Sequence, residues 1–205
     1  CGASAVRLTA SSLLSFVAVP DQPMKEELVL NIAILSERSA DDHKWYVDVI
    51  MQLIQSAGDH VSEEIWYRVV QIITNDGEEL QGYAAGVGWR ALKAEVAPPK
   101  MLVKVTAYIL GEFGHMIGDQ PGSSPAEQLV LLHRHFSHAD SDVRALLLNT
   151  YVKLAHASDS AVSQQVAEIM SHNSHIIDQE MQQRSIEYLA LTQQPRTVRH
   201  SVLEL

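Results

Sequence analysis

The sequence predicts an all-α protein, an α-solenoid: a right-handed superhelix of about five antiparallel helix hairpins of the HEAT or armadillo kind. Three observations predict it. Apolar residues recur at helical spacing along almost the whole chain, with few strand signals. Start and stop signals divide this pattern at short intervals, so successive helices pack antiparallel. Alternate helices start near Pro23, Ser62, Pro99, Ser141 and Asp178, about 37 to 42 residues apart, the period of such repeats.

The elements follow in order. A first helix is expected over roughly Ala5 to Val17, broken off by Pro20 and Pro23. The second, about Met24 to Ser39, places Leu28, Ile32 and Leu35 on one face. The third, about Lys44 to Ala57, ends at Gly58, the residue type that best accepts a left-handed conformation after a helix. Ser62 is expected to cap the fourth, with Glu63 and Glu64 beside the positive end of its dipole. That helix continues to Thr74 with Ile65, Val69, Ile72 and Ile73 in one stripe, and Asn75-Asp76-Gly77 turns the chain.

A fifth helix covers about Glu79 to Ala94, before Pro98-Pro99. The sixth runs from Lys100 to about Ile117. Ser124-Pro125-Ala126-Glu127 combines a capping box with proline in the first turn and opens the seventh, to about Phe136. Ser141 and Asp142 open the eighth, which ends near Ala157 and is apolar nearly all round from Ala145 to Leu154, so it needs cover on both sides. Stacked neighbours supply that cover in a solenoid. The ninth spans about Ser160 to His172 and the tenth Asp178 to Thr192. The solenoid is expected to occupy residues 1–194, with residues 195–205 a frayed tail.

The chain has 205 residues, 46% hydrophobic and 20% charged, enough to bury a core without metal or disulfide. Its single cysteine, Cys1, excludes an internal disulfide and a cysteine-rich zinc site, and favours a reducing compartment. The opening Cys-Gly-Ala-Ser reads as a piece of a longer polypeptide. No signal peptide or membrane span is legible. The net charge of −10, with Lys and Arg scattered, speaks against nucleic acid and against direct binding to anionic lipid.

Several side-chain clusters offer candidate chemistry. His133, His135 and His138 supply imidazoles, but only His135 and His138 share a helical face. His172 and His175 sit at a helix end, where histidine suits the dipole. Gly111-Glu112-Phe113-Gly114 lies in an apolar helical run rather than between a strand and a helix, so close helix approach explains it better than a phosphate loop. Gly82, Gly86 and Gly88 read the same way. Glu63 with Glu64, and Glu78 with Glu79, are neighbours that point to different faces. Trp45-Tyr46 and Trp66-Tyr67 read mainly as core, with partner anchoring as the alternative. No catalytic, cofactor or metal residue is assigned. Arg68, Lys104 and Arg144 follow helix starts, and a surface position is open to each. Residues facing partners are not legible.

Several blocks carry a resemblance. They are Met24-Lys25-Glu26-Glu27-Leu28-Val29-Leu30, Trp45-Tyr46-Val47-Asp48-Val49-Ile50 and the run from Ala57 to Val69. Gln81-Gly82-Tyr83-Ala84-Ala85, Tyr108-Ile109-Leu110-Gly111-Glu112-Phe113-Gly114, Arg144-Ala145-Leu146-Leu147-Leu148 and Glu187-Tyr188-Leu189 follow in order. Together they resemble the α-adaptins, the α large chains of the plasma-membrane clathrin adaptor complex (adaptor protein complex 2). The resemblance implies the C-terminal part of the trunk solenoid. It implies a non-enzymatic scaffold in endocytic coat assembly, with β, medium and small chains as partners. It also implies a cytoplasmic protein, peripheral on the plasma membrane at coated pits through the whole complex. The family's lipid-binding basic cluster has no counterpart here, and no cofactor is implied. Ala85-Gly86-Val87-Gly88-Trp89, Asp76-Gly77-Glu78-Glu79, His135 and His138 depart from the family's pattern. The trunk of another coat scaffold is the alternative, and an all-helical enzyme the remote one.

Overall fold

Cap residues and short breaks determine where each helix starts. The computed structural model describes residues 22–38, 42–158 and 160–203, together with Ser12, Leu14 and Val17. The expected first helix, Ala5 to Val17, lies outside the described residues apart from those three. Ten α-helices and no strand occur among the described residues. They are α1 (Gln22–Arg38), α2 (His43–Ala57), α3 (Glu63–Asn75), α4 (Glu78–Ala94), α5 (Lys100–Phe113), α6 (Pro125–His133), α7 (Ser141–Ala157), α8 (Ser160–Asn173), α9 (Gln179–Thr192) and α10 (Arg196–Leu203).

The local signals act largely as expected. Asp42 caps α2, accepting from the Lys44 amide at 2.9 Å, and Gly58 follows it with φ 61°. At α6 the capping box is complete: the Ser124 amide donates to Glu127, the Ser124 hydroxyl accepts from the Glu127 amide, and Pro125 occupies the first turn. Asp140 caps α7 through the Val143 amide, and Asp178 caps α9 through those of Glu180 and Met181.

Four details differ from the expectation. Ser62 holds the N-cap position of α3 but makes no side-chain capping bond, which leaves Glu63 and Glu64 to meet the dipole. The sixth expected helix splits at Gly114 into α5 and a 3-10 turn, Gly114–Ile117, where the buried Gln128 Nε2 donates to the Gly114 carbonyl at 2.9 Å. The seventh stops at His133, and Phe136–His138 form a separate 3-10 turn. The tail expected to fray forms α10, which packs on α7 and buries Leu203.

The chain divides into two compact units, residues 1–105 and 106–205. In the first, α2 packs against both α1 and α4, and α3 against α4. Tyr46, Val47, Ile50, Leu53 and Ile54 of α2 are fully buried on more than one face, as a helix between two neighbours must be. Val29 and Ile32 of α1, Ile65, Val69 and Ile73 of α3, and Leu80, Ala84 and Leu92 of α4 complete that core.

In the second unit the central helix is α7, in contact with α6, α8, α9 and α10. Its Val143, Leu147, Leu148, Tyr151, Val152 and Leu154 are buried. Burying each such side chain stabilises by about 1.5–3 kcal/mol. Helix α8 also packs on α6 and α9, so hairpins contact the hairpin that follows.

Polar ties repeat the period of the sequence. Lys104 pairs with Glu63 in the first unit and Lys153 with Glu112 in the second, each across 41 residues. Lys44 pairs with Glu79, and Tyr83 donates to Asp48 at 2.8 Å, each across 35 residues. Tyr188 donates to Asn149 at 3.3 Å across 39.

Candidate protein-binding surface

A protein that works by surface contact must leave side chains free, so the first question is which polar groups the fold itself uses. The three cations singled out in the sequence are all engaged internally. Arg68 on α3 reaches Glu37 of α1 at 2.7 Å and Glu64 at 3.0 Å. Lys104 pairs with Glu63 and lies 5.3 Å from the Trp66 ring centroid. Arg144 donates to the carbonyls of Phe136 and Ser137, at 3.1 and 2.8 Å, and stands over the Phe136 ring. All three are half-buried braces rather than open surface cations.

The aromatic pairs separate by one residue. Tyr46 and Trp66 belong to the core, Trp45 is half-buried, and Tyr67 is 66% exposed. A step of one residue turns a helix by about 100°, enough to move a ring from core to solvent.

The histidines brace turns. His133 stacks on Phe136, with ring centroids 5.5 Å apart, and meets Tyr151 edge-on at 5.7 Å. Burial lowers its pKa. Burial also lowers that of His135, helped by Arg134 and His138. His175 Nδ1 lies 3.0 Å from the Ser171 carbonyl and seals the end of α8. His156 stacks on His200 of α10 at 6.0 Å; burial first, then Arg199, Arg196 and His200, lowers its pKa. Among the described residues no three His, Cys, Asp or Glu side chains are placed to hold a metal ion.

Glycines mark close approach in α5 and in the 3-10 turn after it. A Cβ on Gly111 would lie 3.2 Å from Thr150 Oγ1, and one on Gly114 only 2.3 Å from Gln128 Oε1. Gly86 differs from the expectation: its nearest neighbour is the flexible Arg90 of its own helix, not another helix.

Among the described residues, two of the surface grooves gather polar groups. The first, about 520 Å³, is lined by Glu37, His43, Arg68 and Asp76 among others, whose charges already pair with one another. Asp76 has its pKa lowered by the hydrogen bond from His43 and by the Gly77 amide. The second, about 530 Å³, lies between α6 and α8 over Leu129, Val130 and Ile169. It brings together His133 and His172, which the sequence analysis had placed in separate clusters.

The helices, their period and the internal use of charge describe a scaffold of stacked hairpins. The model of the adaptin N terminal region matches residues 3–196. This chain belongs to the adaptin family. It is 42% identical over all 205 residues to AP-2 complex subunit alpha-2 of Dictyostelium discoideum, of which it spans 20%. It is 42% identical over 195 residues to AP-2 complex subunit alpha-2 of Arabidopsis thaliana, covering 94% of the chain and 19% of that relative. It is 37% identical over 196 residues to AP-2 complex subunit alpha of Schizosaccharomyces pombe, covering 96% and 22%. The chain thus spans about a fifth of the length of these curated relatives. The matched region is the N-terminal one of adaptins. The sequence expectation is the C-terminal part of the trunk; the family match gives the N terminal region of adaptins and no finer position within it. No described helix is long and apolar enough to cross a membrane.

Proposed function

We propose that this chain is a scaffold segment of the α large subunit of an AP-2-type clathrin adaptor. It holds partner subunits in register during coat assembly at the plasma membrane and performs no catalysis. The observation that carries the reading is the 42% identity to an AP-2 α subunit along the full 205 residues. The structure supports it through chemistry: the long polar side chains of α2, α3, α5 and α7 tie one hairpin to the next rather than converge on a cleft. The partners are a second large chain, a medium chain and a small chain. Membrane association comes through the assembled complex, on its cytoplasmic face at coated pits, and not through a lipid site in this net-acidic segment. Residues 1–194 act as one scaffold segment in this reading.

The test is affinity purification of the natural chain that contains this sequence, followed by mass spectrometry. Recovery of a second large, a medium and a small adaptor chain is expected. Recovery of none of them overturns the functional reading and leaves the fold untouched.

A further inference from the structure

We propose that α10 is an acid-released helix: it stays on α7 while the imidazoles between the two are neutral, and leaves when they take up protons. The inference concerns two helices of the second unit and does not rest on adaptor assembly.

Helix α10 packs on α7 with little apolar support. Of its large apolar residues Leu203 is buried, while Val198 and Val202 are 42% and 57% exposed. A helix of 8 residues does not hold its shape alone in water, so α10 is helical only while docked.

The polar part of the contact is basic. His156, in the last turn of α7, stacks on His200 of α10, with ring centroids 6.0 Å apart and planes 21° apart. Arg199 and Arg196 of the same short helix act on His156 with the same sign as His200. His156 Nδ1 and Arg199 Nε are buried without a hydrogen-bond partner. Arg68 and Arg184 are neutralised by carboxylates, but none of these four groups pairs with a described carboxylate. A proton on His156 therefore adds charge beside two guanidiniums, at a place where burial already disfavours it.

The other elements packed on α7 do not offset that charge. Glu127 of α6 closes its own capping box, and Glu168 of α8 accepts from Gln164. Glu180 and Glu187 of α9 accept from Arg184 and Gln183. Lys153, one turn before His156, pairs with Glu112. Asp159, which follows α7, lies outside the described residues.

Undocking opens His156 to water and takes it away from Arg196 and Arg199, so the undocked state binds more protons. Docking is then complete above the ordinary imidazole range and is lost as pH falls through it. One such imidazole weakens docking by up to about tenfold per pH unit. The guanidiniums stay charged throughout.

The test is hydrogen exchange of the full natural chain, with whatever subunits it carries, between about pH 7.5 and 5.5 and corrected for intrinsic rates. Protection of residues 196–203 should fall about tenfold per unit below about pH 6.5, before that of α8 and α9 falls. His156→Phe keeps a ring against His200 but takes no proton, and should flatten most of this dependence. Arg199→Glu changes α10 alone and places a carboxylate near His156, so its α10 should stay protected, or gain protection, in acid. Protection of α10 that is absent at neutral pH, unchanged by acid, or lost together with that of α8 and α9 overturns the proposal. So does the wild-type pH dependence persisting in Arg199→Glu, or in a His156→Phe protein whose α7 remains protected.

Discussion

The two compact units are built from the same helix hairpin but fastened differently. In the first, the ties between hairpins are charge pairs at or near the surface: His43 with Asp76, Lys44 with Glu79, Lys104 with Glu63 and Arg68 with Glu37. In the second, several of the ties are buried hydrogen bonds to backbone carbonyls. Gln128 donates to Gly114 and Ser123, at 2.9 and 2.8 Å, and Thr150 donates to Ala107 at 2.9 Å. Exposed pairs are weak and screened by salt. A buried donor bond is modest in net worth, yet costly when one partner is lost. One architecture thus has two sensitivities, the first unit to ionic strength and the second to the loss of single polar atoms.

The largest expected effect comes from Gln128→Leu, which strands two buried carbonyls. A loss of about 2–4 kcal/mol is expected, at ~1–3 kcal/mol for each carbonyl less the relief of removing the unpaired Oε1. Urea unfolding measures it. A loss below ~1 kcal/mol would mean that these bonds are not what fastens the second unit.

Thr150→Val comes next. It keeps the shape against Gly111 but removes the bond to Ala107, and about 1–2 kcal/mol should be lost. Gly111→Ala is the companion variant, since its new methyl must push Thr150 aside. If both variants are neutral, the α5–α7 approach is looser than the structure has it.

A pH titration sharpens the contrast further. Burial lowers the pKa of His133, His135 and His156, all in the second unit. The folded state then binds fewer protons than the unfolded one just below the ordinary imidazole value. Stability from these groups is complete above that value and is lost as pH falls through the lowered one. Asp76 of the first unit is also lowered, but within the carboxylate range, so its contribution disappears only at more acidic pH. Hydrogen exchange, corrected for its intrinsic pH dependence, should show protection falling first in residues 106–203 between pH 6.5 and 5, the window set by ordinary imidazole values. Protection falling first in the first unit would reverse the assignment.

Lys104→Met should have the smallest effect, below ~1 kcal/mol at low salt and close to nothing at 0.5 M salt. The same substitution removes the ammonium from over the Trp66 ring, a contact of the same small order where water reaches the pair. A large loss that persists at high salt would show that the half-buried Lys104 pair is shielded from the solvent ions.

Local chemistry made most of the helix map legible in advance. Ser124, Pro125 and Glu127 begin α6 where a capping box says they should, Gly58 ends α2, and Asp178 opens α9. Those signals act within four residues, so a linear reading contains both partners. Gly114 shows where such a reading stops. The glycine weakens the helix locally, but the partner that receives the Gly114 carbonyl is a glutamine fourteen residues later. The formation of α10 likewise depends on a place on α7 for Leu203.

The candidate surface was legible only in part. His133 and His172 each drew attention as members of local clusters, although neither cluster is the unit that matters. They line one groove because they sit about one repeat apart on helices that pack side by side, a signal the period could have supplied.

By itself the sequence determined the helical class, the repeat length, most helix ends and the family, since each depends on spacing and on residue types within a turn or a repeat. Only the tertiary structure decided which cations became braces and which stayed open, which glycines touch a second helix, and where the α6–α8 groove lies. Those outcomes depend on distances between residues thirty to forty positions apart, which are set by how hairpins stack, and no local pattern contains that distance.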